Sequence, residues 1–170
     1  MPAPILNLDD AELRPESPEH AAHGPNAGQY DIRWAEIARR IGARKLGYNL
    51  TVVPPGKTQC PYHSHHGEEE MFFILEGEGE LRFGSERHPI RAHDVIACPT
   101  GGAEVAHQIV NTGTATMRYL SISTRSELDA CEYPDSGKVL VVSGRYGQRG
   151  LRKMFRAENT VDYYDREPVE

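Results

Sequence analysis

Short extended runs separated by turn-forming residues fill the sequence between residues 44 and 123. The first run, residues 46–53, alternates large side chains with smaller ones, and Pro54-Pro55-Gly56 ends it. Alternation with a period of two indicates half-buried strands, and no part of this stretch has the period of a helix. The pattern therefore predicts an all-β sandwich or barrel.

The same pattern predicts further strands after this first run. Tight turns are predicted at Gly77-Glu78-Gly79 and at Gly84-Ser85, because glycine and serine punctuate the apolar alternation there. The remaining runs cover residues 70–76, 80–83, 88–91, 95–98, 108–111 and 117–123, followed by 138–143 and 151–155.

Imidazoles and carboxylates stand directly before the second of these strands. His63 and His65 are at i and i+2, which in an extended chain puts both rings on one face with α-carbons about 7 Å apart. Glu70 then opens the run to Glu76 on the same face as Phe72 and Ile74. A carboxylate that shares a face with buried side chains needs a cation, so these residues predict a metal site.

Composition and charge restrict the function classes. A chain of 170 residues can bury roughly 70% of its unfolded surface in one core, which favours a single domain. The net charge of −6, without a basic block, argues against nucleic acid as the partner. No apolar run approaches a membrane span, and the N-terminus lacks the features of a signal peptide, so we expect a cytoplasmic protein without a membrane partner. The three cysteines lack metal-site spacing and are expected to be reduced.

The segments on either side of the barrel are less regular. Residues 1–43 are expected to form an N-terminal arm with a short amphipathic helix at 31–41 that ends near Gly42 and covers an open end of the core. The barrel is expected at 44–125, and residues 126–170 are expected to pack as a C-terminal extension on the barrel or on a partner subunit. Two long terminal segments around a compact barrel favour a homodimer.

Two motifs in the block resemble those of the cupin superfamily. The first resembles the cupin pattern of glycine, His-x-His, glutamate and glycine, and the second resembles Pro-x-Gly leading to His-x-x-x-Asn. The matching positions are Gly56, His63, His65, Glu70 and Gly77 in the first, and Pro99, Gly101, His107 and Asn111 in the second. The resemblance implies an all-β fold, a double-stranded β-helix or jelly-roll barrel, with a metal ion inside it. It also implies that His107 is the fourth ligand, after His63, His65 and Glu70.

The sequence departs from the cupin pattern around the second motif. His93 stands where a glycine usually opens it, and five residues separate Gly101 from His107. His107, Ile109 and Asn111 nevertheless share a face in an extended run, which favours His107 as a ligand. The segment Pro134-Asp-Ser-Gly-Lys138 resembles a hallmark of one branch of single-domain bacterial cupins, some of which are labelled sugar phosphate isomerases.

Other polar residues near the motif have alternative interpretations. A slip in register would make Glu69 the ligand in place of Glu70, while Glu68 and Glu69 otherwise form a solvated acidic rim. His66 is expected at the rim, with a role in supporting a ligand or in acid–base chemistry as the alternative. Tyr48 and Gln59 are weak candidates for contact with a substrate. His88, His93 and Cys98 are expected to lie outside the site.

Three imidazoles and one carboxylate suit one divalent transition metal per chain, namely Zn, Mn, Fe, Ni or Cu. The first hypothesis is an enzyme in which the ion polarises a small oxygenated substrate. Isomerisation of a sugar or sugar phosphate is favoured over oxygen activation on Fe(II). The alternative is a protein that binds or senses a small molecule through the ion without catalysis. A phosphorylated substrate would require a cation at the mouth, for which Arg118 and Lys57 are the candidates.

Overall fold

The computed structural model describes residues 2–18, 21–144 and 150–168. These residues form an almost all-β structure, as predicted, in which the helices are four three-residue 3-10 turns at Leu8–Asp10, Ala27–Gln29, Ala103–Val105 and Pro134–Ser136. None of the described helices is long and apolar enough to cross a membrane.

The described residues contain thirteen strands, and most of them coincide with predicted runs. In chain order they are β1 (Arg14–Pro15), β2 (Arg33–Glu36), β3 (Leu46–Val53), β4 (Ser64–His65), β5 (Glu70–Glu76), β6 (Glu78–Phe83), β7 (Glu86–Arg91), β8 (Val95–Cys98), β9 (His107–Val110), β10 (Met117–Thr124), β11 (Leu128–Tyr133), β12 (Lys138–Ser143) and β13 (Arg152–Arg156).

The strands form three antiparallel sheets. The first has the order β1-β2-β3-β10-β5-β8, the second β7-β6-β9, and the third β13-β12-β11-β4. Non-consecutive strands are neighbours in each sheet, so the chain crosses repeatedly between sheets as it winds around the barrel. This is the jelly-roll arrangement that the sequence predicts.

The main core lies between the first and second sheets. Phe72 and Ile74 on β5 point into it, on the face that carries Glu70, and Tyr119 on β10 is almost completely buried beside them. Leu81 and Ile109 close the core from the second sheet. The alternation read from the sequence therefore assigns the inward face of β5 correctly, and the site residues begin where this apolar face ends.

The predicted short helix at residues 31–41 is wrong. Arg33–Glu36 form strand β2, which pairs with β3 and puts Ala35 opposite Leu50. An isolated helix of this length is marginal, so the pairing of Arg33–Glu36 along the free edge of β3 decides the conformation. A turn follows and ends at Gly42, whose φ of 86° is left-handed.

The N-terminal segment covers the outer face of the first sheet, and does not close an open end of the core. Leu6, Leu8 and Leu13 pack with Tyr48 and the buried Leu50 in a second apolar cluster on that face. The arm therefore completes the first sheet with strands β1 and β2 and shields one of its sides from solvent.

The C-terminal residues form a hairpin that joins the barrel through the histidine-bearing segment. Strand β11 pairs with β12 along its whole length and also with β4, where Cys131 is opposite His65. The link between β11 and β12 is the Pro134–Ser136 turn followed by Gly137 with a φ of 58°. Asp135 in this turn accepts two hydrogen bonds from Arg82 on β6, at 2.6 and 2.8 Å. The division of the chain at residues 43/44 and 125/126 stays a prediction.

The glycine that ends the first motif is required by both backbone and space. Gly77 has a φ of 85°, and a Cβ at this position would lie 2.9 Å from the Cα of Met117. Since other residues rarely adopt this conformation and no room exists for a side chain, only glycine makes the turn from β5 into β6 without strain.

Candidate metal centre

A short extended segment between the third strand and β5 carries His63 and His65. His63 forms an isolated antiparallel bridge with His107, in which the His107 N–H donates to the His63 carbonyl at 2.7 Å. His65 lies two residues later on β4, and the two ring centroids are 5.0 Å apart. Ser64 stands between them in the sequence, and its side chain is buried. The i, i+2 spacing thus puts both imidazoles on one face, as predicted.

Glu70, the first residue of β5, lies at the centre of the three imidazoles. Its Oε2 is 2.9 Å from Nε2 of His107, 3.5 Å from Nε2 of His65 and 3.7 Å from Nε2 of His63. His107 is 3% exposed, and the other three side chains are between 12 and 17% exposed. The structure therefore brings together all four residues that the sequence singles out, at the end of the apolar core.

Each imidazole has an acceptor at its other nitrogen. Nδ1 of His63 is 2.9 Å from the Pro61 carbonyl oxygen, and Nδ1 of His65 is 2.7 Å from Oδ2 of Asp129. Nδ1 of His107 is 3.4 Å from the Val105 carbonyl oxygen. Since a carbonyl or carboxylate oxygen only accepts, these contacts favour the tautomer with the proton on Nδ1 and leave the Nε2 lone pairs facing Glu70.

The four groups have the donor chemistry that a divalent transition metal requires. Nitrogen and oxygen donors about 2.1 Å from one ion are about 3.0 to 3.4 Å apart for octahedral or tetrahedral angles. The separations of 2.9, 3.5 and 3.7 Å from Glu70 Oε2 are close to these values. Three lone pairs directed at an anionic oxygen repel one another unless a cation or protons lie between them. The residues therefore fit an ion of this class.

The charges within the cluster lower the pKa of Glu70 and raise the pKa of His63. Burial would raise the pKa of Glu70, but the neighbouring imidazoles of His107 and His63 outweigh it and hold the pKa well below its usual range. Burial would lower the pKa of His63, but the Cys60 sulfur and the Glu70 carboxylate outweigh it and hold the pKa well above its usual value. Glu70 is thus ionised at neutral pH and available as an anionic ligand.

The three weak candidates for substrate contact have different environments. Tyr48 packs in the outer cluster beneath the N-terminal arm, so its assignment near the mouth is wrong: on β3 it shares the outward face with Leu50. His66 is half-exposed, and its Nε2 is 2.7 Å from Oε1 of Glu132 at the rim. Gln59 accepts a hydrogen bond from the buried Tyr119 hydroxyl at 2.9 Å, and its side chain therefore faces the barrel interior.

The remaining charged candidates lie around the motif without joining the imidazoles. Glu69 is exposed, whereas Glu68 is half-buried and accepts a hydrogen bond from the Ser126 N–H at 3.1 Å. Burial raises the pKa of Glu68, so it is less solvated than a rim residue should be. Neither proposed phosphate contact faces the site, because Arg118 pairs with Glu76 at 2.8 Å and Lys57 donates to the Gly28 carbonyl.

Four residues around the imidazoles escape the sequence reasoning. Asp129, Cys131 and Tyr133 alternate along β11 and face the site, and the ring of Tyr133 stacks on His63 with centroids 6.0 Å apart. Cys60 lies beside His63, with its Sγ 3.7 Å from Nδ1. The available signal was a hairpin: a turn at Pro134-Asp-Ser-Gly137 before an apolar strand predicts a partner strand on its other side.

The comparison with known families decides the identity of the central region. The Cupin_2 family, a cupin domain, matches residues 49–123. The chain carries a cupin domain. This stretch contains both motifs and all four clustered residues, and the hairpin that carries Asp129 lies beyond it.

Curated proteins match parts of the chain. The "oxalate-binding protein" of Thermotoga maritima is 39% identical over 70 residues, which cover 41% of this chain and 54% of that protein. The chain spans little more than half the length of the curated relatives it matches, 54 and 56%.

Two solved structures cover nearly the whole chain. The first, from Acidithiobacillus ferrooxidans, is described as a "putative sugar phosphate isomerase"; it is 26% identical, with a TM-score of 0.75 over 93% of this chain and 95% of that one. The second, from Silicibacter pomeroyi, is described as a sugar phosphate isomerase of the cupin superfamily. It is 24% identical, with a TM-score of 0.77 over 95 and 98% of the two chains, and supports the fold alone.

Proposed function

We propose that this cupin binds one divalent transition metal per chain through His63, His65, Glu70 and His107. The observation that carries the proposal is that three imidazole Nε2 atoms surround one carboxylate oxygen at 2.9 to 3.7 Å. Such a donor set suits Zn, Mn, Fe, Ni or Cu, and four ligands leave two positions open in an octahedral ion. We therefore also propose a small molecule as the partner of the site.

We propose further that the chain is an enzyme that isomerises a sugar or sugar phosphate. The bound cation would act as a Lewis acid on the substrate carbonyl, which acidifies the neighbouring C–H. The chain must then supply a base at that carbon. Glu68 is our candidate, because it is half-buried next to the ligands and burial raises its pKa, as suits a group that takes up a proton. The description of the Acidithiobacillus protein supports the same reaction class.

Lys138 is a candidate for the substrate contact that was expected of Arg118 or Lys57. Lys138 Nζ lies 5.3 Å from the ring centroid of Tyr133, and the same ring stacks on His63. We propose that Lys138 attracts the anionic group of the substrate towards the mouth. This role is one of binding, so Lys138→Ala should raise KM for a phosphorylated substrate more than it lowers kcat.

The enzymatic proposal is tested by proton exchange at the substrate carbon. Metal-loaded protein is incubated in D₂O with a panel of aldose and ketose phosphates, and deuterium incorporation next to the carbonyl is followed by NMR. We expect exchange in the metal-loaded protein, loss of exchange after metal removal, and a fall of about 10²-fold or more in Glu68→Gln with metal retained. Glu69→Gln is the matched control, since Glu69 is adjacent and exposed.

A second candidate function is metal-anchored binding or sensing without catalysis. The observation that favours it is the 39% identity to a protein described as oxalate-binding, over 70 residues of the chain. Calorimetric titration of the metal-loaded protein with oxalate and related small acids separates the two. Tight binding, together with no exchange or turnover across the sugar phosphate panel, would replace the enzymatic proposal with this one.

We also propose a homodimer and a cytoplasmic location. Support for the dimer comes from exposed apolar side chains on strands β11 and β13, including Leu128, Met154 and Phe155. Support for the location comes from the three cysteines, all of which are free thiols. Light scattering at micromolar concentration checks the first, and a monomeric mass would contradict it.

A further inference from the structure

Asp129 lies on strand β11, outside the part of the chain that matches the cupin family. Its Oδ2 is 2.7 Å from Nδ1 of His65, and the residue is 6% exposed. Acceptors for the other two imidazoles are backbone carbonyls, so His65 differs from His63 and His107 in having a charged acceptor.

The carboxylate of Asp129 is itself held in place. Its Oδ1 accepts a hydrogen bond from the Gly67 N–H at 2.8 Å, and its Oδ2 accepts one from the Cys131 thiol at 3.1 Å. With the Gly67 N–H and the Cys131 thiol directed at it, the Asp129 carboxylate is placed to accept a hydrogen bond from Nδ1 of His65.

The backbone around Asp129 and His65 is tied together as well. Strand β4 pairs with β11, and the His66 N–H donates to the Ala130 carbonyl at 2.9 Å. Gly67 allows this approach, because a Cβ there would lie 2.4 Å from the Leu128 carbonyl oxygen. Since both backbones are fixed, the short contact between the two side chains sets the rotation of the His65 ring.

We propose that Asp129 is a positioning residue, which holds the His65 imidazole with its proton on Nδ1 and its Nε2 lone pair directed at the metal. The inference rests on the proposed role of His65 as a ligand. A carboxylate at the far nitrogen fixes the tautomer and makes Nε2 a better donor. It follows that the C-terminal hairpin is a working part of the metal centre, although it lies beyond the cupin domain.

One competing arrangement uses the same atoms. His65, Asp129 and Cys131 offer ligand atoms within 4.8 Å of one another, so they could hold a metal ion themselves. In that case Asp129 would be a ligand, and His65 would use Nδ1 for binding. Metal stoichiometry distinguishes the two roles of Asp129. If His65, Asp129 and Cys131 hold an ion of their own, wild type contains one more ion than Cys131→Ala.

The experiment compares wild type, Asp129→Asn and Asp129→Ala, with Asp135→Asn as the matched control. Asp135 is on the same hairpin, but it is exposed and pairs with Arg82. Metal affinity is measured by competition with a chromophoric chelator for Co²⁺ or Zn²⁺. We expect affinity to fall by about 10- to 100-fold in Asp129→Ala, less in Asp129→Asn, and not in the control. If Asp129→Ala does not fold, the Asn variant decides.

The tautomer of His65 is measured separately in the metal-free protein by ¹⁵N NMR of the imidazoles. Wild type should show the Nδ1–H form at His65, and Asp129→Asn should show a mixture. An unchanged tautomer and affinity in Asp129→Asn would overturn the proposal, as would two metals per chain in wild type that fall to one in Cys131→Ala. If wild type binds no metal, the proposed function fails, while the tautomer measurement still decides the role of Asp129.

Discussion

Nε2 of His107 lies 2.9 Å from Oε2 of Glu70, although the two residues are 37 positions apart in the chain. Neither strand alone creates this contact. The backbone bridge between His63 and His107 brings the second motif against the first, and Glu70 enters from the neighbouring sheet. The candidate metal centre is therefore a product of barrel closure, and its four side chains come together only in the folded chain.

Asn111, the last residue of the second motif, has a structural role. Its Nδ2 donates to the carbonyls of Val53 and Ala115 at 2.8 and 2.9 Å, and its Oδ1 accepts from the Gly113 N–H at 3.0 Å. Asn111→Ala leaves these buried backbone groups without a partner, so we expect the free energy of unfolding to fall by about 3 kcal/mol.

Urea denaturation of metal-free protein measures the effect of Asn111→Ala, with Asn26→Ala as an exposed control. Where the variant is folded, its metal affinity should equal that of wild type. A loss of metal affinity without a loss of stability would assign Asn111 to the site and contradict the structural role.

The backbone at His93 explains why a glycine usually occupies this position in the second motif. His93 has a φ of 78°, and its N–H donates to the Ile74 carbonyl at 2.8 Å, while its side chain is exposed. We expect the protein to be most stable with glycine at position 93, less stable with the native histidine and least stable with valine. Glycine removes the left-handed strain at a small cost in unfolded-state entropy, and a β-branched residue increases the strain.

Thermal unfolding of the three proteins checks this order. His93→Val should be less stable than wild type by about 1–2 kcal/mol. A valine variant as stable as wild type would show that the conformation at residue 93 is different.

The sequence was sufficient for the barrel and for His63, His65 and Glu70, because these depend on local patterns. Alternation on β5 assigns Glu70, Phe72 and Ile74 to one face, and extended backbone puts His63 and His65 side by side. The resemblance to cupins then links His107 to them, which no local pattern could do, since the contact is set by long-range pairing.

The sequence does not predict strands β2 and β11, because each forms only by pairing with the edge of another strand. Residues 33–36 read as part of a helix, because only the free edge of β3 makes them a strand. Strand β11 was missed, since its alternation of polar and apolar side chains has meaning only against β4 and β12. With β11, the contact between Asp129 and His65 was also missed. Tertiary pairing therefore explains both the wrong helix and the unrecognised support of the site.

Gly67 is predicted to control the distance between the two motifs and the C-terminal hairpin. A Cβ at residue 67 would lie 2.4 Å from the Leu128 carbonyl oxygen, and backbone on both sides cannot move easily. We expect Gly67→Ala to lower stability by about 1–3 kcal/mol and to weaken metal binding. Gly28→Ala is the control, because a Cβ there meets nothing within 4 Å. Equal stability and affinity in the two variants would contradict the close packing.

The pKa of His63 predicts how stability depends on pH in the metal-free protein. Since the folded pKa is raised above its ordinary value of 6.5, the folded state binds more protons than the unfolded state above that pH. The contribution of His63 to stability is therefore complete below about pH 6.5 and is lost as pH rises through the folded pKa.

Urea denaturation of metal-free protein at several pH values between 6 and 9 measures this slope. His63→Ala should remove it, and metal affinity should rise over the same range, because the metal competes with the proton. A metal-free wild type whose stability does not fall with rising pH would contradict the coupling of His63 to Glu70 and Cys60.

The central claim is tested most directly by the metal content of purified protein. Wild type, His63→Ala/His65→Ala and a control with two exposed histidines replaced, His23→Ala/His88→Ala, are stripped, reloaded with a first-row divalent metal and analysed for elements. We expect about one ion per chain in wild type and in the control, and close to none in the His63/His65 variant. Retention of the ion by that variant, or no binding by wild type, would contradict a metal site at His63, His65, Glu70 and His107.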